Sequence, residues 1–258
     1  MKVVILAGGL GTRLAEETEV RPKPMVEIGG MPVIWHIMKI YSFFGFNDFI
    51  ICLGYKGYYI KEYFANYFLH QSDLTIDLND NSKKFHTNGS EKWKITLVDT
   101  GLTTQTGGRI KKIKKYLNNK PFLLTYGDGL ANVNIKELIE NHLKNGKKCT
   151  VTGIQPQGRF GLMKVGKNNN IISFSEKKDE DNSLINGGFF VCEQSIFDYL
   201  NDDESCIWEK YPLETLAKDG ELNLNVHSGF WKPMDSLKDK IDLNELWNLG
   251  KADWKIWK

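Results

Sequence analysis

Strand and helix patterns alternate along the first half of the chain, and this alternation constrains the fold more than any other feature. Short apolar runs typical of buried strands recur at Lys2–Ala7, Phe49–Leu53, Lys94–Asp99, Phe122–Thr125 and Cys149–Ile154. Between them, Pro32 opens a helical pattern that Gly45 ends, and a second pattern covers Lys56–Phe68. Further helices are predicted near Gly107 and Asn134. The alternation predicts an α/β fold, a Rossmann-like three-layer sandwich with a mostly parallel, mixed sheet.

After about residue 155 the strict alternation ends. Short strands are predicted at Phe160–Val165, Ile171–Ser175, Gly187–Val191 and Leu222–His227. Helices are predicted near Gln194–Leu200, Trp208–Lys218 and Ser236–Leu249. We expect a second, smaller lobe that packs against the first. Residues 1–154 and 155–258 would then be two halves of a single domain.

Two segments allow more than one interpretation. The polar stretch Gln71–Lys92 separates two strands and is predicted to be a solvated loop, with a mobile flap as the alternative. Tryptophans crowd the C-terminal end, and aromatic side chains anchor both cores and interfaces. We expect packing against the second lobe, with a subunit contact as the alternative, for Trp231, Trp247, Trp254 and Trp257.

Charge and apolar patterning exclude several classes of protein. The 258 residues contain 34 Lys and Arg against 32 Asp and Glu, a net charge of +2. A dedicated nucleic-acid binder usually has a basic face and a pI above roughly 9, so no nucleic-acid partner is expected. No apolar run reaches the roughly 20 residues of a membrane span, and the first apolar run is too short for a secretory signal. The four cysteines lack CxxC spacing and are typical of buried thiols in a reducing cytoplasm.

A glycine-rich loop directly follows the first predicted strand. It contains Leu6, Ala7, Gly8, Gly9, Gly11, Thr12 and Arg13. Glycines here allow backbone N–H groups to converge on phosphate oxygens, and Arg13 adds a permanent cation. A Walker loop would need a Gly-Lys-Ser/Thr ending, and a dinucleotide fingerprint starting at Gly9 would need a glycine where Leu14 stands. The sequence therefore predicts a phosphate-binding loop of a different kind.

Three further features point to the same polyanionic ligand. Prolines flank Lys23, and we expect them to hold it in an extended segment, ready to meet a fixed anion. Asp128 lies between glycines just past a predicted strand, at the sheet edge where ligands bind, and can hold Mg²⁺ or serve an ordinary turn. Asp235 precedes a predicted helix and is either its N-cap or a second metal carboxylate.

Together these residues resemble the sugar-1-phosphate nucleotidyltransferases over essentially the whole chain. The resemblance rests on Gly8–Arg13, Arg21–Pro24, Gly127–Gly129, Glu176-Lys177 and Asn186–Phe190, in that order. Further strings resemble the branch that uses CTP and glucose 1-phosphate, namely Trp35–Lys39, Gly54–Gly57, Glu62–Phe68, Val98–Gly101, Thr106–Arg109 and Gly158–Gly161. A departure is Lys178, where the family commonly has proline.

The resemblance implies that CTP and glucose 1-phosphate give CDP-glucose and pyrophosphate, a first step toward dideoxyhexoses of surface polysaccharides. It implies that Asp128 and Asp235 hold Mg²⁺, that Arg13 stabilises the departing phosphates, and that Lys23 lies near the transferred phosphate. Nucleotide contacts are implied for Leu6, Ala7, Gly8, Gly9, Gly11, Thr12, Arg13, Lys23, Thr104, Arg109 and Gly127. Sugar-phosphate contacts are implied for Glu176, Lys177, Asn186, Gly188 and Asp235. The helix start at Gly107-Gly108 is suited to reading a base edge or a phosphate. A homo-oligomer is implied as well.

Other functions remain open at this point. The same chemistry could serve another nucleotide, such as UTP or dTTP, or another phosphorylated acceptor. A glycosyltransferase would need an acidic pair at a strand end, whereas Asp179-Glu180-Asp181 lies in a charged run. A nucleotide sensor without catalysis would be favoured by loss of Arg13, Lys23 or Asp128, and all three are present.

Overall fold

The structure is a computed structural model. The structure describes residues 1–86, 91–155, 162–165, 171–175 and 184–258. The strands are β1 (Lys2–Ala7), β2 (Glu27–Ile28), β3 (Met31–Pro32), β4 (Asp48–Leu53), β5 (Leu74–Asp77), β6 (Ser82–Phe85), β7 (Lys94–Asp99), β8 (Phe122–Tyr126), β9 (Gly129–Ala131), β10 (Cys149–Ile154), β11 (Leu162–Val165), β12 (Ile171–Ser175), β13 (Ile185–Asn186), β14 (Phe190–Cys192), β15 (Leu222–His227) and β16 (Trp231–Pro233). The α-helices are α1 (Ala15–Thr18), α2 (Val33–Phe43), α3 (Gly57–Ala65), α4 (Tyr67–Gln71), α5 (Thr106–Lys112), α6 (Ile135–Asn145), α7 (Tyr211–Lys218) and α8 (Leu237–Asn248). Within the described ranges, no helix has the length and apolarity needed to cross a bilayer.

One mixed sheet organises the molecule. Strands β8, β1, β4 and β7 lie side by side and parallel. On the other edge of β8, strand β14 runs antiparallel and connects to β10. β13 also pairs antiparallel with β10, and β15 pairs parallel along all of β10. The predicted α/β fold with a mostly parallel, mixed sheet is confirmed.

Helices cover both faces of this sheet because its central strands are apolar on both sides. Along β1, Val3 and Ile5 point into one core cluster while Val4 points into the other, as the two-residue repeat of a strand requires. Residues of α2, α6 and α8 complete the first cluster, and residues of α5 and α7 complete the second. The four cysteines are free and buried, as predicted.

Strands from both halves of the chain take part in the sheet. β10 comes from the first half, and β13, β14 and β15 from the second half pair with it. Of the predicted strand Phe160–Val165 the structure describes β11, which pairs with β12 in a separate two-stranded sheet. The division into a nucleotide half and a sugar half stays a prediction.

The segment Gln71–Lys92 contains a β-hairpin, so its prediction as a loop is wrong. Strands β5 and β6 pair antiparallel, with Leu74 opposite Phe85. Every residue of β6 is exposed, and Leu78 beyond β5 is 83% exposed. Leu74 and Ile76 do alternate with Thr75 and Asp77 along β5, but this pattern is short and lies in a segment that is polar as a whole.

The C-terminal tryptophans pack mainly on α2, in the first half of the chain. His36 of α2 is fully buried, with the rings of Trp247 at 5.0 Å, Trp254 at 6.2 Å and Trp257 at 6.0 Å from its own. The expectation of packing on the second lobe is therefore wrong for Trp247, Trp254 and Trp257, whereas Trp231 does contact the second half of the chain, at Gly187. Aromatic composition predicts burial, but it does not say which helix lies underneath.

Candidate active site

The glycine-rich loop and Asp128 lie at the same edge of the sheet. β1 and β8 are adjacent and parallel, with Leu6 opposite Tyr126, so the segments after both strands leave the sheet side by side. The N–H of Gly127 donates to the carbonyl of Leu6 over 3.0 Å. A Cβ at position 127 would lie 2.9 Å from that carbonyl oxygen, which explains the glycine. The carboxyl ends of parallel strands are where ligands of open α/β sheets bind.

Four of the predicted site residues form one ionic cluster: Arg13, Lys23, Asp128 and Asp235. The Lys23 ammonium donates to Asp128 over 2.6 Å and also to Asp235. Arg13 donates to the second oxygen of Asp235 over 2.7 Å. The Lys23 side chain is 12% exposed and that of Arg13 is 76% exposed, so one cation lies deep and the other faces solvent. The sequence identified these residues, and the structure brings them together.

Opposing effects act on the charge of Lys23. Burial lowers the pKa of its ammonium, but Asp128 and Asp235 outweigh burial, and the net result is a raised pKa. Lys23 is therefore a permanent cation at neutral pH. Its backbone begins a short 3-10 turn, Lys23–Met25, so the prediction of an extended segment is wrong at this residue. Pro22 is extended, whereas Pro24 is tolerated because a proline fits the first turn of a helix.

Asp235 reaches the cluster through a strand pairing. β16 pairs with β9, and the N–H of Met234 donates to the carbonyl of Asp128 over 2.9 Å. This pairing brings Asp235 to Asp128. The N-cap of α8 is Ser236, which forms a capping box with Asp239, so the alternative N-cap role of Asp235 is wrong. The carboxylate of Asp235 is instead directed at the two cations.

Arg109 is a buried side chain that holds the backbone of the glycine-rich loop in place. Its guanidinium donates to the carbonyls of Gly8, Leu53 and Gly101 over 2.8 to 2.9 Å, and the residue is 4% exposed. A Cβ on Gly8 would lie 2.2 Å from the guanidinium, and a Cβ on Gly54 would lie 2.5 Å from it. The two glycines thus make room for a planar cation that fixes the backbone at the ends of two strands. A contact of Arg109 with the nucleotide stays a prediction.

The start of α5 is occupied by another part of the chain. The N–H groups of Gln105 and Gly107 donate to the carbonyls of Glu204 and Cys206 over 2.7 and 2.9 Å. Thr104 is 3% exposed. In this structure these donors at the helix start are already satisfied within the chain. A contact of Thr104 or of this helix start with the nucleotide stays a prediction.

The predicted sugar-side residues are described in part. Glu176 and Lys177 lie outside the described residues. The side-chain oxygen of Asn186 accepts from the N–H of Gly188 over 2.9 Å, and Gly188 has a φ of 75°. These two residues form a tight turn between β13 and β14. The indole N–H of Trp231 donates to the carbonyl of Gly187 over 2.8 Å, which ties the turn to β16.

Tyr126 contacts this turn and was missed by the sequence analysis. Its hydroxyl donates to Glu209 over 2.7 Å and accepts from Asn186 over 3.0 Å. Burial, and then the charge of Glu209, raise the pKa of Tyr126. The available signal was its place directly before Gly127-Asp128, at the end of a strand that leads to the site.

The two carboxylates of the ionic cluster fit a magnesium ion. Asp128 and Asp235 converge on a single cationic atom, so they already form an oxygen-lined position for positive charge. Mg²⁺ commonly uses one or two carboxylates and completes its shell with water and substrate phosphates. Within the described part of the chain no group of three or more His, Cys, Asp or Glu could hold a metal, so further ligands would come from substrate or water.

Comparisons with known proteins give a consistent result. The family model for nucleotidyl transferases matches residues 2–236. The chain is 55% identical over 258 residues to a glucose-1-phosphate cytidylyltransferase of Salmonella typhimurium, and 48% identical over 257 residues to a probable glucose-1-phosphate cytidylyltransferase of Bacillus subtilis; both matches cover 100% of each chain. Among solved structures, HddC from Yersinia pseudotuberculosis has a TM-score of 0.68 at 24% identity, covering 95% of this chain and 99% of that one. A putative glucose-1-phosphate thymidylyltransferase from Bacillus anthracis has a TM-score of 0.69 at 20% identity, covering 100% and 98%. These two structures share the fold.

Proposed function

Because the chain belongs to the nucleotidyl transferase family, we propose that it transfers the cytidylyl group of CTP to α-D-glucose 1-phosphate. The products are CDP-glucose and pyrophosphate. Full-length similarity to glucose-1-phosphate cytidylyltransferases supports this pair of substrates. The observation that carries the chemistry is the ionic cluster, in which two cations and two carboxylates meet beside the glycine-rich loop.

The reaction brings two anions together, so positioning and charge neutralisation provide most of the catalysis. An oxygen of the sugar phosphate attacks the α-phosphorus of CTP in line, and pyrophosphate leaves. Lys23, rigid and charged, would face the phosphate that is transferred. Arg13, exposed at the rim, would stabilise the charge that develops on the departing phosphates. The bond is exchanged directly between the substrates, so the reaction needs no covalent nucleophile from the chain.

Asp128 and Asp235 would hold Mg²⁺ in this proposal. The ion would supply charge neutralisation for the phosphate oxygens. Lys23 contacts both carboxylates in this structure, so its ammonium would turn from them toward the phosphates once the ion is held. The backbone from Leu6 to Thr12, braced by Arg109, would hold the nucleotide.

The sugar phosphate would bind on the second half of the chain. Lys177 would form an ion pair with the phosphate, and Glu176 and Asn186 would form hydrogen bonds with sugar hydroxyls. Gly188 would leave space for the ring. The active site would then lie between a nucleotide half, residues 1–154, and a sugar half, residues 155–258.

The decisive experiment measures pyrophosphate release with CTP, UTP, dTTP or GTP, each with glucose 1-phosphate, Mg²⁺ and no other acceptor. We expect a clear preference for CTP. Preference for another nucleotide would overturn the choice of base but retain the reaction class. Absence of pyrophosphate release with every nucleotide would refute nucleotidyl transfer and favour a glycosyltransferase or a sensor.

The same assay tests the role of Lys23. We expect Lys23→Ala to lower turnover roughly 100- to 1,000-fold, the usual effect of losing one preorganised charge donor. Lys218→Ala serves as the control because Lys218 is exposed at the end of α7. Turnover of Lys23→Ala close to that of the wild type would contradict the assigned role.

The cellular setting follows from the same proposal. A cytoplasmic enzyme would have access to CTP, and CDP-glucose would begin a route to dideoxyhexoses of surface polysaccharide. We also propose a homo-oligomer. Its support is the hairpin β5–β6, where Ile76 is 50%, Leu78 is 83% and Phe85 is 44% exposed, an apolar surface of the kind that subunit contacts cover.

A further inference from the structure

Tyr126 connects a half-buried carboxylate, that of Glu209, to the turn that carries Asn186. Glu209 can only accept hydrogen bonds when ionised, so the Tyr126 hydroxyl donates its proton to Glu209, 2.7 Å away. The hydroxyl oxygen is then left as an acceptor for Asn186, 3.0 Å away. Asn186 must therefore present its NH₂ group to Tyr126 and its oxygen to the N–H of Gly188.

The tyrosine ring fixes the same turn sterically. Gly188 adopts a φ of 75°, and a Cβ there would lie 3.1 Å from Cδ2 of Tyr126. The ring thus packs directly against the backbone of Gly188 while the hydroxyl holds the side chain of Asn186. Asn186 and Gly188, two of the three described members of the predicted sugar-side set, both touch this one tyrosine.

Glu209 is itself held in place. Its second oxygen accepts from the hydroxyl of Thr106 over 2.6 Å, and that hydroxyl accepts from the N–H of Trp208 over 2.9 Å. Thr106 is the first residue of α5. The chain of hydrogen bonds therefore runs from a helix in the first half of the chain to a turn in the second half.

We propose that Tyr126, oriented by Glu209, is a positioning residue that holds the side-chain amide of Asn186 in the orientation that binds glucose 1-phosphate. The inference rests on the proposed function, because it takes Asn186 as a contact of the sugar. With one N–H donated to Tyr126, the amide keeps its second N–H for a sugar hydroxyl. Burial and the charge of Glu209 raise the pKa of Tyr126, so its hydroxyl keeps its proton at neutral and mildly alkaline pH. The hydrogen bonds from Asn186 to Tyr126 and from Tyr126 to Glu209 therefore keep their direction.

The test is a steady-state comparison of Tyr126→Phe with the wild type, with glucose 1-phosphate and CTP varied separately. Loss of one hydrogen bond to a substrate-binding group corresponds to roughly a five- to tenfold rise in the KM for glucose 1-phosphate. The KM for CTP and kcat should stay within about twofold, because the substitution removes ground-state positioning of the sugar alone. Tyr211→Phe, which removes an exposed hydroxyl on α7, is the matched control and should match the wild type.

A double-mutant cycle with Asn186→Ala separates positioning from general stability. Tyr126→Phe should add little to the KM of Asn186→Ala if both act through the same amide. Glu209→Ala should raise the same KM, whereas Glu209→Gln, which keeps an acceptor for Tyr126, should restore most of the wild-type value. If thermal unfolding shows that Tyr126→Phe does not fold, the contrast between Glu209→Ala and Glu209→Gln still tests the proposal.

The outcomes distinguish this inference from the proposed function. Additive effects of Tyr126→Phe and Asn186→Ala, or equal rises in both KM values, would refute positioning. A wild-type KM in Asn186→Ala would refute it as well, with nucleotidyl transfer still standing. A wild-type protein that makes no CDP-glucose would refute the proposed function and this inference together.

Discussion

Protonation of His36 should destabilise the fold where the C-terminal tryptophans pack on α2. The imidazole is fully buried, its Nε2 donates to the carbonyl of Ile28 over 2.8 Å, and its Nδ1 accepts from Trp254 over 3.4 Å. Trp35 and Trp247 lie edge-on at 5.1 and 5.0 Å. A proton on Nδ1 would face an N–H group and indole rings, without a carboxylate in contact among the described residues.

The size of the effect follows from the pKa. Burial lowers the pKa of His36 from 6.5 to about 4, despite hydrogen bonds to backbone carbonyls that favour the charged form. A tenfold change in a protonation equilibrium is worth about 1.4 kcal/mol, so the difference between the two pKa values corresponds to about 3 kcal/mol of unfolding free energy. The unfolded chain binds the proton more readily than the folded one. The contribution of neutral His36 to the free energy of unfolding is therefore present above pH 6.5 and is lost as the pH falls from 6.5 to 4.

The assay is urea unfolding of the wild type and His36→Gln at pH 7.5, 6.0 and 5.0. Glutamine can keep a donor and an acceptor but does not titrate. Between pH 7.5 and 5.0 the free energy of unfolding should fall by about 2 kcal/mol more in the wild type than in the variant. Other titrating groups affect both proteins and cancel in the difference. Parallel pH profiles would refute the argument that His36 is held neutral by its surroundings.

Three further predictions concern other parts of the molecule. Gly54→Ala places a Cβ 2.5 Å from Arg109. This overpacking should lower the free energy of unfolding by about 2 kcal/mol and raise the KM for CTP. An unchanged urea midpoint and an unchanged KM would contradict the close packing. The four buried thiols should stay unreactive toward a thiol reagent in the native state and react in urea, so rapid native labelling would contradict their burial. Leu78→Ser should weaken self-association in sedimentation velocity without lowering the urea midpoint, and an unchanged oligomer would exclude this hairpin as the contact.

The sequence predicts the sheet well because its central strands are apolar on both faces. Runs such as Lys2–Ala7 and Cys149–Ile154 match the observed strands at both ends. Exposed elements are harder to predict, and the hairpin β5–β6 is the clearest case. Its strands have four residues each, and three of the four residues of β6 are polar. The 3-10 turn at Lys23 escapes for another reason, because flanking prolines allow both an extended residue and a helical turn.

For the candidate site, the sequence identifies residues but not their partners. The four members of the ionic cluster come from motifs, whereas their mutual hydrogen bonds depend on the pairing of β9 with β16. Arg109 is identified as a site residue, yet its bonds to loop carbonyls follow from the space left by Gly8 and Gly54. Tyr126 and Glu209 lie far apart in sequence, and short-range patterns carry no information about such a pair.

The pairing of β16 with β9 has a consequence for how the protein is made. On a ribosome, the chain through α6 contains the glycine-rich loop, Lys23 and Asp128, but Asp235 emerges later. Until β16 docks, Lys23 has only Asp128 as a carboxylate partner and Arg13 lacks Asp235, so a nascent chain presents two cations that the folded protein neutralises. The ionic cluster is therefore complete only late in synthesis, when β16 pairs with β9.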